Sequence, residues 1–204
     1  MIVIVDYGMG NLGSIVNMFK KIGISAQLSG DPNVVKGADK LVLPGVGAFD
    51  AGMREIDARG LRTVLTEKVL GEDTPILGIC LGTQLMTKGS EEGTSPGLGW
   101  IDADTVRFRF SDRASLRVPH MGWNEVYPAK ESRLLSGLDR SPRFYFVHSY
   151  HLVCHQNTDV LLTSSYGYDF VAAVERGNIA GVQFHPEKSH KFGLHLLRNF
   201  SSLS

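Results

Sequence analysis

Cysteine is scarce: the 204 residues hold two, Cys80 and Cys154. Two thiols cannot form the disulfide framework of a small secreted domain. A chain of this length buries roughly 70% of its unfolded surface without such staples. An excess of charge is also lacking. The 21 basic and 21 acidic side chains cancel, which argues against a dedicated nucleic-acid binder. No apolar run nears the ~20 residues of a membrane span. The start, Met1-Ile2-Val3-Ile4-Val5-Asp6, lacks the basic segment of a secretory signal. These absences predict a cytoplasmic chain with reduced thiols and no membrane association. What is present is ordinary for a globular protein, with 43% hydrophobic and 21% charged residues. A reduced cysteine, with histidine and an acid elsewhere in the chain, is a candidate nucleophile.

The first third alternates short strands with helices. Residues 2–5 form a continuous β-branched run, as in a strand buried on both faces. Leu12, Ile15, Val16 and Phe19 follow a helical spacing, with Asn11 placed to cap and Gly23 to close. Strands are expected over 25–29, 40–43 and 75–79, and helices over 48–59 and 61–70. This alternation predicts a mostly parallel sheet flanked by helices. Residues 90–99 read as loop. From residue 100 to 174 the pattern is short strands and turns: 103–110, 124–126, 144–147, 151–154, 160–164 and 171–174. A buried-type strand over 179–184 and a helix over 188–200 close the chain and can return to the first sheet. The expectation is one domain over 1–204, α/β, with an additional antiparallel β-rich portion.

Gly78-Ile79-Cys80-Leu81-Gly82 is the strongest local signal. It is the thiol form of G-x-S-x-G, a nucleophile on a tight strand-to-helix turn. The following helix would aim free N–H groups and its positive end at the sulfur, favouring the thiolate. A buried, inert cysteine gives the same five residues, and the motif alone does not decide. His185-Pro186-Glu187 is the second signal. In extended chain i and i+2 point the same way, and Pro186 keeps His185 out of the helical region. Glu187 can then fix one imidazole nitrogen and leave the other as a base. Alone, this is most simply a surface turn. Both motifs sit at carboxyl ends of predicted parallel strands, where open α/β sheets bind ligands. Pro44-Gly45-Val46-Gly47 ends a third strand, and its backbone N–H groups can serve as an oxyanion hole.

Gly8-Met9-Gly10-Asn11-Leu12-Gly13 competes with this reading. It matches G-x-G-x-x-G between strand and helix, with Asp31 near the place of a ribose-binding acid. A non-catalytic dinucleotide-binding module is the alternative of a different class. Asp6-Tyr7 before the first glycine and Pro32 after Asp31 weaken it. His148, His151, Cys154 and His155 lie close in sequence, but on a continuous strand 148 and 154 share one face and 151 and 155 the other. Neither spacing is a zinc signature, so structural roles and no metal are expected. His120, His190 and His195 have no evident partner in the sequence.

Taken together, the chain resembles the class I, triad-type glutamine amidotransferases over its whole length. Within them it is most similar to the glutaminase subunits of imidazole glycerol phosphate synthase. Asp6-Tyr7-Gly8-Met9-Gly10-Asn11-Leu12, Pro44-Gly45-Val46-Gly47-Ala48-Phe49, Pro119-His120-Met121-Gly122-Trp123-Asn124 and Tyr145-Phe146-Val147-His148-Ser149-Tyr150 carry the likeness beside the two catalytic motifs. The resemblance implies a flavodoxin-like architecture and no cofactor. Cys80 would be the nucleophile, His185 the base and Glu187 its orienter. The backbone at Gly47 and Leu81 would form the oxyanion site. Gly45, Gly82, Gln84, Glu92, Ser149 and Tyr150 would hold glutamine. Asn11, Met121, Trp123, Tyr145 and Lys188 would face a (β/α)8 synthase partner that receives ammonia for histidine biosynthesis. Gly97-Leu98-Gly99-Trp100-Ile101 and Ser189-His190-Lys191-Phe192-Gly193 also resemble a paralogous group. That group supplies ammonia to an N-acetyl-sugar amidotransferase in surface-polysaccharide biosynthesis.

Overall fold

A computed structural model describes residues 1–110, 116–139 and 141–203. Its first half runs β1 (Ile2–Val5), α1 (Leu12–Lys21), β2 (Ala26–Ser29), α2 (Pro32–Lys36), β3 (Lys40–Gly45), α3 (Phe49–Ala58), α4 (Leu61–Thr66), β4 (Ile76–Cys80) and α5 (Leu81–Leu85). The second half runs β5 (Ala103–Arg107), β6 (His120–Glu125), β7 (Tyr127–Pro128), β8 (Arg143–His148), β9 (Tyr150–Cys154), β10 (Val160–Ser165), β11 (Asp169–Arg176), β12 (Ile179–Val182) and α6 (His190–Ser201). Strands β2, β1, β3, β4 and β12 lie side by side in that order, all parallel. The sheet continues antiparallel through β11, β10 and β7, with β9 and β5 branching from β11. A separate antiparallel pair joins β6 to β8. The return of the last strand is as expected: β12 pairs with β4 from Ile179 opposite Ile76 to Val182 opposite Ile79.

The β-branched run of β1 shows why the sheet is covered twice. Ile2 and Ile4 enter one core with Phe19, Leu196 and Phe200 from the helices α1 and α6. Val3 and Val5 enter the other with Phe49, Met53 and Ile56 of α3. Each such side chain contributes about 1.5–3 kcal/mol by leaving water. Among the described residues no helix is long and apolar enough to cross a membrane.

Three local readings differ. The strand expected at 124 begins at His120, because pairing with β8 runs from His120 opposite His148 to Glu125 opposite Arg143. Helix α2 has too few residues for an apolar stripe, yet Asp31 caps it by accepting from the Asn33 N–H at 2.8 Å. Asn11 occupies the N-cap of α1 but makes no side-chain capping bond. The carboxyl ends of β1, β3, β4 and β12 all open to one edge, and the candidate motifs lie there.

Candidate active site

Strand β4 ends at Cys80 and α5 begins at the next residue. Cys80 has φ 52° and ψ −110°, a conformation that costs a non-glycine residue about 1–3 kcal/mol and persists only when its surroundings hold it. Here β4 is clamped between β3 and β12. The turn is also wedged against β3: a Cβ on Gly82 would lie 1.7 Å from the Leu43 carbonyl oxygen. One on Gly45 would lie 2.4 Å from the Tyr7 hydroxyl and 2.9 Å from the Gly82 nitrogen. Tyr7 in turn donates to the Pro44 carbonyl at 2.6 Å and is fully buried. Burial pushes its hydroxyl pKa far up, and the negative charge of Cys80 adds to this. The elbow therefore rests on backbone contacts that admit only glycine at 45 and 82.

His185 follows β12 and donates its backbone N–H to the Tyr145 carbonyl at 2.9 Å. Its Nδ1–H donates to Glu187 Oε1 at 2.8 Å, with both side chains 2% exposed. Burial opposes a charge on the ring. The Cys80 sulfur and the Glu187 carboxylate draw on the imidazolium more strongly and push its pKa up to about 10. Nε2 is buried and, apart from the Cys80 sulfur, finds no hydrogen-bond partner among the described residues. It is the polar atom left for an incoming ligand or a proton transfer.

A pocket of about 270 Å³ opens over these groups, a volume suited to a small metabolite rather than a drug-sized ligand. Cys80, His185, Leu81 and Gly47 line it, with Gln84, Glu92, Ser149, Tyr150 and Lys188. Gly45 and Gly82 do not line it, since they pack beneath the elbow. Gly47 is at φ +129°, and Val46 is exposed beside it. Among the described residues nothing accepts a hydrogen bond from the Gly47 N–H. The loop bearing Glu92 is pinned by Asp50, which accepts from the N–H groups of Thr94 at 3.0 Å and Ser95 at 3.0 Å. Those bonds hold the Asp50 carboxyl below its usual range. Glu92 accepts from the Phe49 N–H at 2.9 Å.

The Ser149–Tyr150 side of the pocket is braced by His148 and by His120, which had no evident partner in the sequence. His148 Nδ1–H donates to the Tyr150 carbonyl at 2.7 Å. Its Nε2 then accepts from His120 Nδ1–H at 3.1 Å, and Asn124 Nδ2 lies 3.4 Å from His120 Nε2. Burial lowers the pKa of His120 to about 4 and of His148 to about 3, so both are neutral. The strand breaks at Ser149, between β8 and β9, which overturns the assignment of His148 and His151 to opposite faces. Their rings both pack on Phe108, at 5.2 and 4.6 Å between centroids. His190 stacks on Trp123, and His195 Nε2–H donates to the Ser136 carbonyl at 2.8 Å. Among the described residues no cluster of three or more His, Cys, Asp or Glu could hold a metal ion.

Beside the pocket, Met121 and Trp123 stand out of β6, 62% and 44% exposed. Trp123 is paired across the strands with Tyr145, and the Lys188 ammonium lies 5.6 Å from the Tyr145 ring centroid. Lys188 thus joins this exposed face to the pocket wall. Asn11 is exposed on the loop after β1.

The glycine-rich segment does not behave as a dinucleotide fingerprint. There the third glycine serves close helix–strand packing, yet a Cβ on Gly13 would meet nothing within 4 Å. Asp31 is occupied as the cap of α2. Gly10 instead packs on Gly45, and the Met9 side chain lies over Gly47.

The sequence profile of the class-I glutamine amidotransferases matches residues 3–202. The chain belongs to this family. It is 53% identical over 204 residues to the imidazole glycerol phosphate synthase subunit HisH 2 of Pseudomonas aeruginosa, covering all of both chains. It is 46% identical over 205 residues to the subunit HisH of Leptospira borgpetersenii, again covering all of both. Among solved structures it resembles a glutamine amidotransferase with TM-score 0.73 at 20% identity, covering 98% of each chain. A glutamine amidotransferase from Thermotoga maritima gives TM-score 0.65 at 18% identity, covering 98% of this chain and 81% of that one. Those two likenesses show the shared fold.

One residue beside the Cys80 sulfur went unnoticed in the sequence. Gln183 is 1% exposed and lies 3.6 Å from the Cys80 sulfur through its Nε2. No strand alternation pointed to it, because the chain bends at 183 and 184 and turns as a 3-10 helix over Pro186–Lys188.

Proposed function

We propose that the chain is the glutaminase subunit of an imidazole glycerol phosphate synthase, with Cys80, His185 and Glu187 as its triad. The observation that carries this is the Cys80 elbow at φ 52° sharing a pocket with a histidine that is hydrogen-bonded to a buried carboxylate. Cys80, as thiolate, attacks the side-chain amide carbon of glutamine. The N–H groups of Gly47 and Leu81 receive the developing oxyanion. His185 gives its Nε2 proton to the departing nitrogen, which leaves as ammonia, and a γ-glutamyl thioester remains. His185, now neutral, takes a proton from water, the hydroxide adds to the thioester, and glutamate leaves. Glu187 holds the ring with Nδ1 protonated throughout. Gln84, Glu92, Ser149 and Tyr150 hold the substrate, while Gly45 and Gly82 act by shaping the elbow beneath it.

The relatives described above carry the synthase-subunit name, which favours this acceptor over an N-acetyl sugar. Ammonia then passes to a (β/α)8 synthase partner docked on the face of Asn11, Met121, Trp123, Tyr145 and Lys188. An electrophilic glutamine analogue tests the chemistry: it labels Cys80 in the native chain and nothing in Cys80→Ala. In the complex, Cys80→Ala abolishes glutamine-dependent synthesis and leaves ammonia-dependent synthesis intact, whereas Cys154→Ser is close to neutral. Full glutamine turnover by Cys80→Ala would refute the nucleophile. Product formation with a sugar acceptor, and none with the open-chain ribulosyl intermediate, would refute the pathway alone.

A further inference from the structure

The Cys80 sulfur has a hydrogen-bonding neighbour outside the triad. Gln183 directly follows β12, and its backbone N–H donates to the Ala172 carbonyl at 2.9 Å. Its side chain lies between Gln84, with Oε1 3.1 Å from Gln84 Nε2, and Cys80, with Nε2 3.6 Å from Sγ. The orientation of both amides follows from a third group. Gln84 Nε2 also lies 3.4 Å from the Tyr150 carbonyl oxygen, which can only accept. The Gln84 atom at that point is therefore its NH2. The Gln183 atom facing it is then the oxygen, and the Gln183 NH2 is what remains for the sulfur.

We propose that Gln183 is a dedicated N–H donor to the Cys80 sulfur. It holds the nucleophile as a thiolate and ties the sulfur's position to Gln84 in the substrate pocket. The proposal rests on Cys80 being the nucleophile. A hydrogen bond to the charged form favours that form, and a neutral amide gives it without taking or releasing a proton. Proton transfer stays with His185. The other ionisable groups acting on the sulfur are His185, backed by Glu187, and the buried Tyr7 hydroxyl. The His185 side chain also hydrogen-bonds to the sulfur, but as the group that carries the proton; Gln183 is the neutral donor. Gln183 and His185 approach the sulfur from one short segment after β12, two residues apart.

The test uses the full chain carrying Cys154→Ser, so that one thiol remains. Iodoacetamide alkylation is followed against pH, and glutamine hydrolysis is measured in parallel. Gln183→Met has similar length and no donor. Its Cys80 is expected to alkylate more slowly, by up to about tenfold on the acid side of the profile, and to reach the parent rate at higher pH, as loss of a charge-assisted hydrogen bond implies. kcat should fall by a similar factor with KM little changed. Gln183→Glu keeps an acceptor for Gln84 but turns a carboxylate toward the sulfur, and should be slower still. Parent-like melting of either variant separates this effect from misfolding. A folded Gln183→Met or Gln183→Glu chain that alkylates at the parent rate across the pH range overturns the proposal. Glutamine hydrolysis that survives Cys80→Ser instead removes the nucleophile reading, whatever stands at 183.

Discussion

At the scale of single residues, the proposed mechanism has His185 and Glu187 divide the proton work unequally. The carboxylate, 2.8 Å from Nδ1, orients the ring and raises its proton affinity. The imidazole itself must move the proton to the leaving nitrogen. Glu187→Gln is therefore expected to reduce glutamine-dependent kcat less than His185→Ala, both by orders of magnitude. Steady-state kinetics on the two variants checks the order. A Glu187→Gln enzyme weaker than His185→Ala would mean that the acid has a task of its own. These residues were legible in the sequence because they stand two apart beside a proline, although the extended chain expected there gives way after His185 to a 3-10 turn over Pro186–Lys188. The same logic reached Cys80 through its flanking glycines. It did not reach the pairing of His120 with His148, which are 28 positions apart and meet only because β6 aligns with β8.

Among the elements, the buried apolar runs of the parallel strands were the most legible, since a strand covered on both faces needs little but β-branched residues. β6 was harder to see. His120-Met121-Gly122-Trp123-Asn124 has no alternation of apolar and polar residues, and its inner positions are filled by a neutral histidine network instead. That network predicts an acid-sensitive element. The folded pKa values of His120 and His148, about 4 and about 3, lie below the ordinary value of 6.5. The unfolded chain thus binds protons that the folded chain refuses. Their contribution to stability is complete above pH 6.5 and is lost as pH falls toward 4 and 3. The loss is about 1.4 kcal/mol per pH unit for each histidine. His185, raised to about 10, adds no slope there, because it is protonated in both states below 6.5. Carboxylates with lowered values act below pH 4. Urea unfolding between pH 6.5 and 5 reads the pair together with His151, whose pKa burial also lowers, and a flat unfolding free energy across that window would show that the histidines already accept protons in the fold.

At the scale of the whole molecule, the parallel order β2, β1, β3, β4, β12 gathers segments far apart in sequence onto one edge. The loop after β1 lies against the loop after β3: Gly10 packs on Gly45, and Met9 covers Gly47. The return of β12 was foreseeable from its buried apolar run. The union of these loops was not, because it depends on strand order. The arrangement has a regulatory consequence. Gly47 tolerates either sign of φ, stands here at +129°, and offers an N–H with no acceptor among the described residues. A peptide that turns this N–H away from the pocket leaves the oxyanion one donor short, which costs about 10²–10³ in rate. A partner docked beside Asn11 can bias that peptide through Met9, and a bias of about 3–4 kcal/mol would switch hydrolysis on. The isolated chain is accordingly expected to be a poor glutaminase, activated 10²-fold or more, on the order of one restored donor, when the synthase partner and its acceptor are bound. Glutamine hydrolysis measured for the chain by itself, with the partner, and with partner plus acceptor decides it. Equal rates in the three mixtures would mean that the loop is a rigid turn and the oxyanion hole is complete from the start.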